Sequence, residues 1–497
     1  GNQKPINIYT GQDGTFNSGD YIEFFGEKNR GELDQALYEN PSDQPHQGYS
    51  LFTDSAAYFL TWQSGTQGLR YNDFKETDYQ NYTPKPYYNK EVLKYFTDNY
   101  SDGLSSVNAQ ANLLGLSYYT EGEGWAGPYF TVYNTKFTTT INTENFYSAG
   151  PVPEVEAQVY GQSKADSNNY QPVYHHHFEV LIKPSSGSFS QIFEKLTKGF
   201  NVTTLNTQLN NSDIGDPTTT LRFRTIRDRN LRNDVKVVTY IRINYPSTFD
   251  LENESTHKFS LSSGLNQKQY LNFPNYASNK SNPVLYDPTG RYKIYGTLNN
   301  NNFQAIIPAG GPERKLYLTD STQYKTAIPQ KVNMVNHKNQ ISSNTDFLII
   351  SNKKLQSSVQ EYANYRNSKG FNTSIVYVDQ LFNQFYYGVH HPLAIKNFLE
   401  YLVNDITTPE YLLLLGKGIQ NDFLREKGKL NENLLPTIGI PPSDNMFAAG
   451  LNKQGLALPF AIGHIPAKSN EDVRNYLNKL RTYETQLQMA ENNGNQI

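Results

Sequence analysis

The stretch Tyr411–Asp422, YLLLLGKGIQND, sets Lys417 between Gly416 and Gly418 behind four leucines. A lysine between glycines at the end of an apolar strand raises the question of phosphate binding. That chemistry needs Gly-x-x-x-x-Gly-Lys followed by Ser or Thr, and a helix whose first N–H groups receive the anion. Here Ile419 and Gln420 follow the lysine, and Pro436 and the run Gly439–Pro442 point to a long irregular loop. A phosphate loop is not supported. The loop does leave the carboxyl end of a parallel strand, where ligand sites of such sheets sit, so it reads as a functional rim.

Nine histidines supply the other titratable candidates. His175, His176 and His177 are consecutive, and in a strand only His175 and His177 share a face. No acidic partner lies close in sequence, so a packing or solvated role is the default over metal binding. His390 and His391 precede Pro392, where helix initiation is expected, and His464 ends a strand in IGHIP. Ser443 and Asp444 form an Asx-type turn or contribute to a calcium site, the turn being the default. Trp125, among the glycines of EGEGWAGPYF, is either a sugar-stacking platform or a packed ring, with packing the default. No Gly-x-Ser-x-Gly elbow and no His-Glu-x-x-His occurs. There is no cysteine, which removes disulfides, thiolate metal sites and a thiol nucleophile from these residues. No cofactor is expected, and metal binding stays open.

The elements that must position these residues fall into two styles. Up to about residue 335, short apolar–polar alternations are broken by turn residues: YIEFFG (Tyr21–Gly26), AAYFLTW (Ala56–Trp62), HHHFEVLIKP (His175–Pro184), TTLRFRTI (Thr219–Ile226) and VKVVTYIRINYP (Val235–Pro246). They predict a β-rich region of two sandwich-like modules, 1–160 and 161–335, with the boundary suggested by AGPVPEVEAQ and GQSKADSNNYQP. From 346 to 497 the pattern becomes α/β. FLIIS (Phe347–Ser351), TSIVYV (Thr373–Val378), YLLLL and PFAIGH (Pro459–His464) read as buried strands. Leu355, Val359, Tyr362, Ala363 and Arg366 fall at helical spacing, with Gly370 as the stop. Pro392 opens a helix with Ala394, Ile395, Phe398, Leu399 and Leu402 on one face. Ser469 and Asp472 form a capping box before Val473, Tyr476, Leu477 and Leu480. Alternating strands and helices imply a parallel, doubly wound sheet.

The 497 residues suggest about three domains and can bury large cores. Net charge is −3 and only 18% of residues are charged, so the basic footprint of a nucleic-acid binder is missing. The 38 tyrosines, with abundant Asn, Gly, Ser and Thr, read as a β-rich extracellular surface. No run approaches the roughly 20 apolar residues of a membrane-spanning helix. The start, GNQKPINIY, has neither an initiator methionine nor a signal peptide and reads as a processed or trimmed product; the polar end, AENNGNQI, reads as a cut edge.

Taken together, DFLIISNKKLQSSVQEYANYRNSKGFNTSIVYV, PEYLLLLGKG, PSDNMFAAG and LPFAIGHIPAKSNEDVRNYLNKLRTYE resemble, in that order, the first half of the caspase-like catalytic domain of the gingipain family of cysteine peptidases. Upstream, SGDYIEFFGEKNRGELDQALY, YSLFTDSAAYFLTW, GEGWAGPYF and NPVLYDPTGRYKI resemble the N-terminal region of the PorU-like sortases of type IX secretion, above all their second paralogue. The resemblance implies a surface protein of Bacteroidota-type bacteria. Such sortases cut the C-terminal signal domain from secreted cargo and transfer the cargo to a lipopolysaccharide anchor, using a Cys nucleophile and a His after a glycine. It also implies an outer-membrane β-barrel partner. Both catalytic positions lie downstream of Glu484, so no residue here inherits either role. Lys417 stands where the family often has an acidic residue, and His464 where it often has Arg. A catalytically inactive scaffold of the secretion machinery is the rival reading, and a glycan-binding surface protein a third.

Overall fold

The computed structural model describes residues 3–492 except 104–105, 108–112, 115, 165–173, 229–230, 232, 263–265, 278–281 and 452–456. The chain forms two units, each built from three separate pieces. One comprises 1–27, 60–101 and 125–329; the other comprises 28–59, 102–124 and 330–497.

The first unit holds two β-sandwiches. In one, a sheet ordered Val202–Gln208, Glu154–Gly161, Lys236–Ser247 and Tyr88–Tyr95 shares a core with a sheet ordered Ser190–Thr197, His176–Pro184, Thr218–Thr225 and Lys136–Asn142. Alternation explains the pairing: Val155, Ala157 and Val159 from one sheet meet Phe178, Val180, Ile182, Leu221 and Phe223 from the other. The second sandwich sets a five-stranded sheet, whose edge Asn72–Lys75 pairs in parallel with Tyr292–Tyr295, against Gln269–Phe273, Asn302–Ile307 and Thr297–Asn299. Phe259, Leu271, Phe273, Leu285, Ile294 and Phe303 fill its core.

The expected boundary at 160/161 needs correction, because it cuts the strand Glu154–Gly161, which pairs on both sides. AGPVPEVEAQ leads into a central strand, and the polar stretch after it falls outside the described residues from 165 on. AAYFLTW is not a strand either. Tyr58, Phe59, Leu60 and Trp62 are exposed, Trp62 at 91%, and the chain passes from one unit to the other within this segment. Apolar alternation without a partner strand makes no ladder.

Lys293 ties the N-terminal hairpin (Ile6–Tyr9 with Tyr21–Phe24) to the second sandwich. Its Nζ lies 3.1 Å from Glu23 Oε1 and 5.2 Å from the ring centres of Tyr9 and Tyr286. Glu23 also accepts from Asn7 and Tyr286, so it keeps donors if the lysine is lost. Lys293→Ala is therefore expected to cost about 1–3 kcal/mol, read as a lower urea midpoint at unchanged slope. A change under about 0.5 kcal/mol would show the pair to be ornamental.

The second unit is built on a four-stranded parallel sheet. In chain order its main elements are β1 (Phe347–Ser351), α1 (Gln356–Ser368), β2 (Thr373–Tyr377), α2 (Val378–Phe385), α3 (Leu393–Asp405), β3 (Tyr411–Leu415), β4 (Ala461–Ile465) and α4 (Asn470–Asn492). The sheet order is β2-β1-β3-β4. Phe347, Ile349, Leu413 and Leu415 share a core with Val359, Tyr362 and Ala363 of α1 and Val473 and Leu477 of α4. Leu348, Ile350, Leu412 and Leu414 point the other way and are buried too, which is why these strands read as unbroken apolar runs. Gly370, at φ +96°, ends the turn after α1 in the left-handed region.

The capping box closes as expected: Ser469 Oγ accepts from Asp472 N at 3.2 Å, and Asp472 Oδ2 from Ser469 N at 3.0 Å. Tyr476 departs from expectation, being 43% exposed beside the buried face. Helix α2 was not legible as a separate element, since its apolar residues continue directly from the strand run. No helix among the described residues is long and apolar enough to cross a membrane.

Candidate functional site

The carboxyl ends of β1, β3 and β4 form one rim of the parallel sheet. At the end of β1, Ser351 Oγ donates to Leu415 O at 2.6 Å. The next residue, Asn352, accepts from Lys354 N at 3.0 Å and donates to Leu434 O at 3.1 Å. At the end of β3, Gly416 has φ +148°, and an added Cβ would lie 3.2–3.3 Å from Leu435 and Leu434. Glycine is thus required where the returning loop passes close.

The Gly-Lys-Gly N–H groups explain why no phosphate loop forms. Gly416 N donates to Ile465 O at 2.9 Å and Lys417 N to Ala467 O at 2.8 Å, while Ile419 N donates to Asn433 Oδ1 at 2.9 Å. Gly418 and Ile419 bridge Leu435 and Pro436 in parallel. The donors that would cradle an anion are engaged by the scaffold.

His464, on β4, faces two acceptors. Nδ1 lies 2.9 Å from Asp444 Oδ2 and Nε2 lies 2.8 Å from Gly416 O. Burial alone would push its pKa down; the hydrogen bonds and charge of Asp444 and the Gly416 carbonyl outweigh burial and hold it above the ordinary value. Asp444 begins a short 3₁₀ turn, Asp444–Phe447, whose Phe447 is buried. Asp444 thus lies in a turn, but Ser443 makes no side-chain cap there and the Asp444 carboxylate faces His464 in place of the loop backbone. Among the described residues no cluster of three His, Cys, Asp or Glu side chains is arranged to hold a metal.

His391 fulfils the expected role at a helix start: Leu393 N donates to its Nδ1 at 3.2 Å. The proton of the neutral ring therefore sits on Nε2, which lies 3.4 Å from Asp34 Oδ1. Burial pushes the His391 pKa down against the opposing pull of Asp34. The ring stacks on Tyr386 at 4.3 Å and meets Phe52 edge-on at 4.6 Å. Asp34 is fully buried and accepts from Leu51 N at 2.6 Å and Ser50 Oγ at 3.2 Å, while His391 Nε2 makes no hydrogen bond to it. Sequence reasoning gave no signal for Asp34, which belongs to the 28–59 piece packed into this unit. His390 stacks on Phe382 at 4.4 Å. It borders an open cleft of about 350 Å³ with Asn352, Lys354, Asp379, Asn431 and Asn433.

The 102–124 piece explains a further glycine. Gly439 has φ +86°, and its added Cβ would lie 2.1 Å from the Ser117 carbonyl oxygen. Gly439→Ala is expected to destabilise this unit by at least about 1–3 kcal/mol through backbone strain and displacement. Thermal unfolding checks this, and an unchanged midpoint would contradict it.

In the first unit the three consecutive histidines separate. His176 points into the core and meets Asp234 and Gly199 O, while His177 lies 3.0 Å from Glu194 and 2.9 Å from Asp228. Its acidic partners, distant in sequence, come from neighbouring segments. His175 accepts from Gly199 N at 2.7 Å. Trp125 is buried and meets Tyr100 edge-on at 5.6 Å, so it packs and offers no open face for a sugar.

Among the described residues the rim pairs no cysteine with a base: the chain has no cysteine, and both nitrogens of His464 face acceptors. Residues 340–496 match the model of peptidase family C25, the family of the gingipains. The α/β part is thus similar to that family. In fold the chain is PorU-like: it is similar to dimeric latent PorU from Porphyromonas gingivalis, with TM-score 0.53 and 12% identity, over 96% of this chain and 44% of that one. The chain thus spans less than half the length of that protein. The xylan-binding domain CBM22-1 of Xyn10C from Paenibacillus barcinonensis also matches, at TM-score 0.16 and 11% identity over 32% of this chain and 94% of that one. No curated protein matches. The β-rich region ahead of a C25-type α/β unit agrees with the fold expected from the sequence.

Proposed function

We propose that the chain is the N-terminal part of a type IX secretion sortase, a cell-surface cysteine peptidase that removes the C-terminal signal of secreted cargo and passes the cargo to a surface anchor. The observation that supports this reading is the coincidence of a C25 segment at 340–496 with a PorU-like fold over 96% of the chain. In that chemistry a thiolate adds to the scissile carbonyl. The C–N bond breaks as a protonated base gives its proton to the leaving amine, and the thioester then passes to an amine acceptor or to water. The residues described here supply neither nucleophile nor base. Their part is the parallel sheet and its rim, held by Gly416, Asn352 and the Asp444–His464 pair, on which a catalytic half is supported. Its partners are cargo proteins with C-terminal signal domains and an outer-membrane β-barrel protein.

A non-catalytic scaffold of the same machinery is the second reading. It is favoured by Lys417, fixed in the rim by its backbone, and by the absence of cysteine. Treating the natural gene product, in its own cells, with a thiol-reactive peptide probe separates the two. Labelling of a cysteine outside these residues, with cargo retaining its signal, supports the sortase. A product that takes no label while its cargo is still processed supports the scaffold.

A further inference from the structure

His464 is the one rim side chain in the C25-type unit whose two ring nitrogens both meet oxygen acceptors within 2.9 Å among the described residues, Asp444 Oδ2 on one side and Gly416 O on the other. A neutral imidazole carries one N–H and one lone pair, so it satisfies only one of the two; the other nitrogen then faces an acceptor lone pair at hydrogen-bond distance. The imidazolium satisfies both. These acceptors belong to different segments: Gly416 follows β3, and Asp444 opens the 3₁₀ turn of the long loop between β3 and β4.

Within the loop Met446 N donates to Ser443 O, Ala448 N and Ala449 N to Asn445 O, and Ser443 N to Ile438 O, while Phe447 and Ala448 are buried; the Asp444 carboxylate is the group that ties the turn to β4 through a side chain. We propose that His464 is a proton-operated latch: as the imidazolium it fastens the Asp444 loop to the end of β3, and as the neutral ring it releases one of the two ties.

The surrounding charges leave the latch to Asp444. β4 packs on β3, whose residues beside it are leucines, and on the Asp444–Phe447 turn. Lys417, next after Gly416, gives its backbone N–H to Ala467 O. Asp472 at the start of α4 accepts from Lys468 N and Ser469 N. Asp444 is thus the charged group bonded to the ring, at 22% exposure of the histidine side chain and 36% of the aspartate. The folded state holds the proton more tightly than the unfolded chain. The latch's contribution is therefore complete below about pH 6.5 and is lost as pH rises through the folded value. The inference stands on this geometry and does not depend on the peptidase reading.

The experiment uses the whole chain labelled with ¹⁵N-histidine, the His464 signals being identified as those missing from His464→Arg. Wild type is expected to show both ring nitrogens of His464 protonated at pH 6 and a titration above 6.5. Hydrogen-exchange protection of the Met446 and Ala448 amides, corrected for intrinsic pH dependence, should fall through the same transition. His464→Arg, a cation at every pH tested, should keep the loop protected throughout, and Asp444→Asn should abolish the pH dependence. A His464 titration at or below 6.5 overturns the proposal whatever the variants do. So does the same pH-dependent loss of protection in His464→Arg.

Discussion

Asp234→Ala is expected to cost the first sandwich about 3–5 kcal/mol, because it strands two buried nitrogen groups on one side of the core. His176 Nδ1 lies 2.6 Å from Asp234 Oδ1, the same oxygen that Lys236 Nζ contacts, and all three side chains are at most 1% exposed. Burial alone would raise the Asp234 pKa; the hydrogen bond from His176 and the charge of Lys236 hold it below the ordinary carboxylate range. Burial pulls Lys236 the other way, below the ordinary lysine value, with Asp234 opposing. Phe130 lies 5.0 Å from the Lys236 ammonium and softens its isolation only in part. The test is urea unfolding followed by a probe in this unit, because a chain of two units need not unfold in one step. Adding Lys236→Met to Asp234→Ala should recover part of the loss, since the uncompensated cation goes with it. A loss under about 1 kcal/mol, or a double variant no better than the single, would contradict this account.

The second large effect is expected at Asp34. Asp34→Ala should destabilise the C25-type unit by about 3–5 kcal/mol, although the residue lies some three hundred positions upstream of the sheet. Two buried donors lose their acceptor together, Leu51 N–H and Ser50 Oγ–H, and His391 Nε2, 3.4 Å away without a hydrogen bond, loses the neighbouring carboxylate. None gains water in exchange, because Asp34 and His391 are fully buried. His391→Phe is the informative companion. It keeps a ring against Tyr386 and Phe52 but gives up the acceptor for Leu393 N and the polar nitrogen 3.4 Å from Asp34. It should therefore be destabilising, yet milder than Asp34→Ala, which leaves more donors unmet. Hydrogen-exchange protection of β1 and β3 amides reads this unit selectively. Equal protection in wild type and Asp34→Ala would show that the 28–59 piece adds nothing to the unit.

These two sites also show what was legible in the sequence. The α/β part was open to reading because its strands are buried on both faces and its helices carry one apolar face: Val359, Tyr362 and Ala363 in α1, and Ala394, Phe398 and Leu402 in α3. Local signals such as Gly370 and the Ser469–Asp472 box fixed where helices stop and start. What the sequence hid is non-local. Nothing near Asp34 announces a partner at His391, and nothing near His176 announces Asp234. The return of 28–59 and 102–124 to the α/β unit depends on backbone fits such as Gly439 beside Ser117, which leave no periodic trace. AAYFLTW misled for the same reason, since its alternation is real but the ladder it needs is made by other segments. At the rim, His464 and Asp444 were both visible as residues; their pairing across the β3–β4 loop was not.

The measurement that tests the central claim most directly is the intact mass of secreted cargo from the organism's own cells after deletion of this gene. The sortase account predicts cargo heavier by its C-terminal signal domain and no longer joined to the surface anchor, with both restored by the native gene. Cargo that is trimmed and anchored normally in the deleted strain would contradict it.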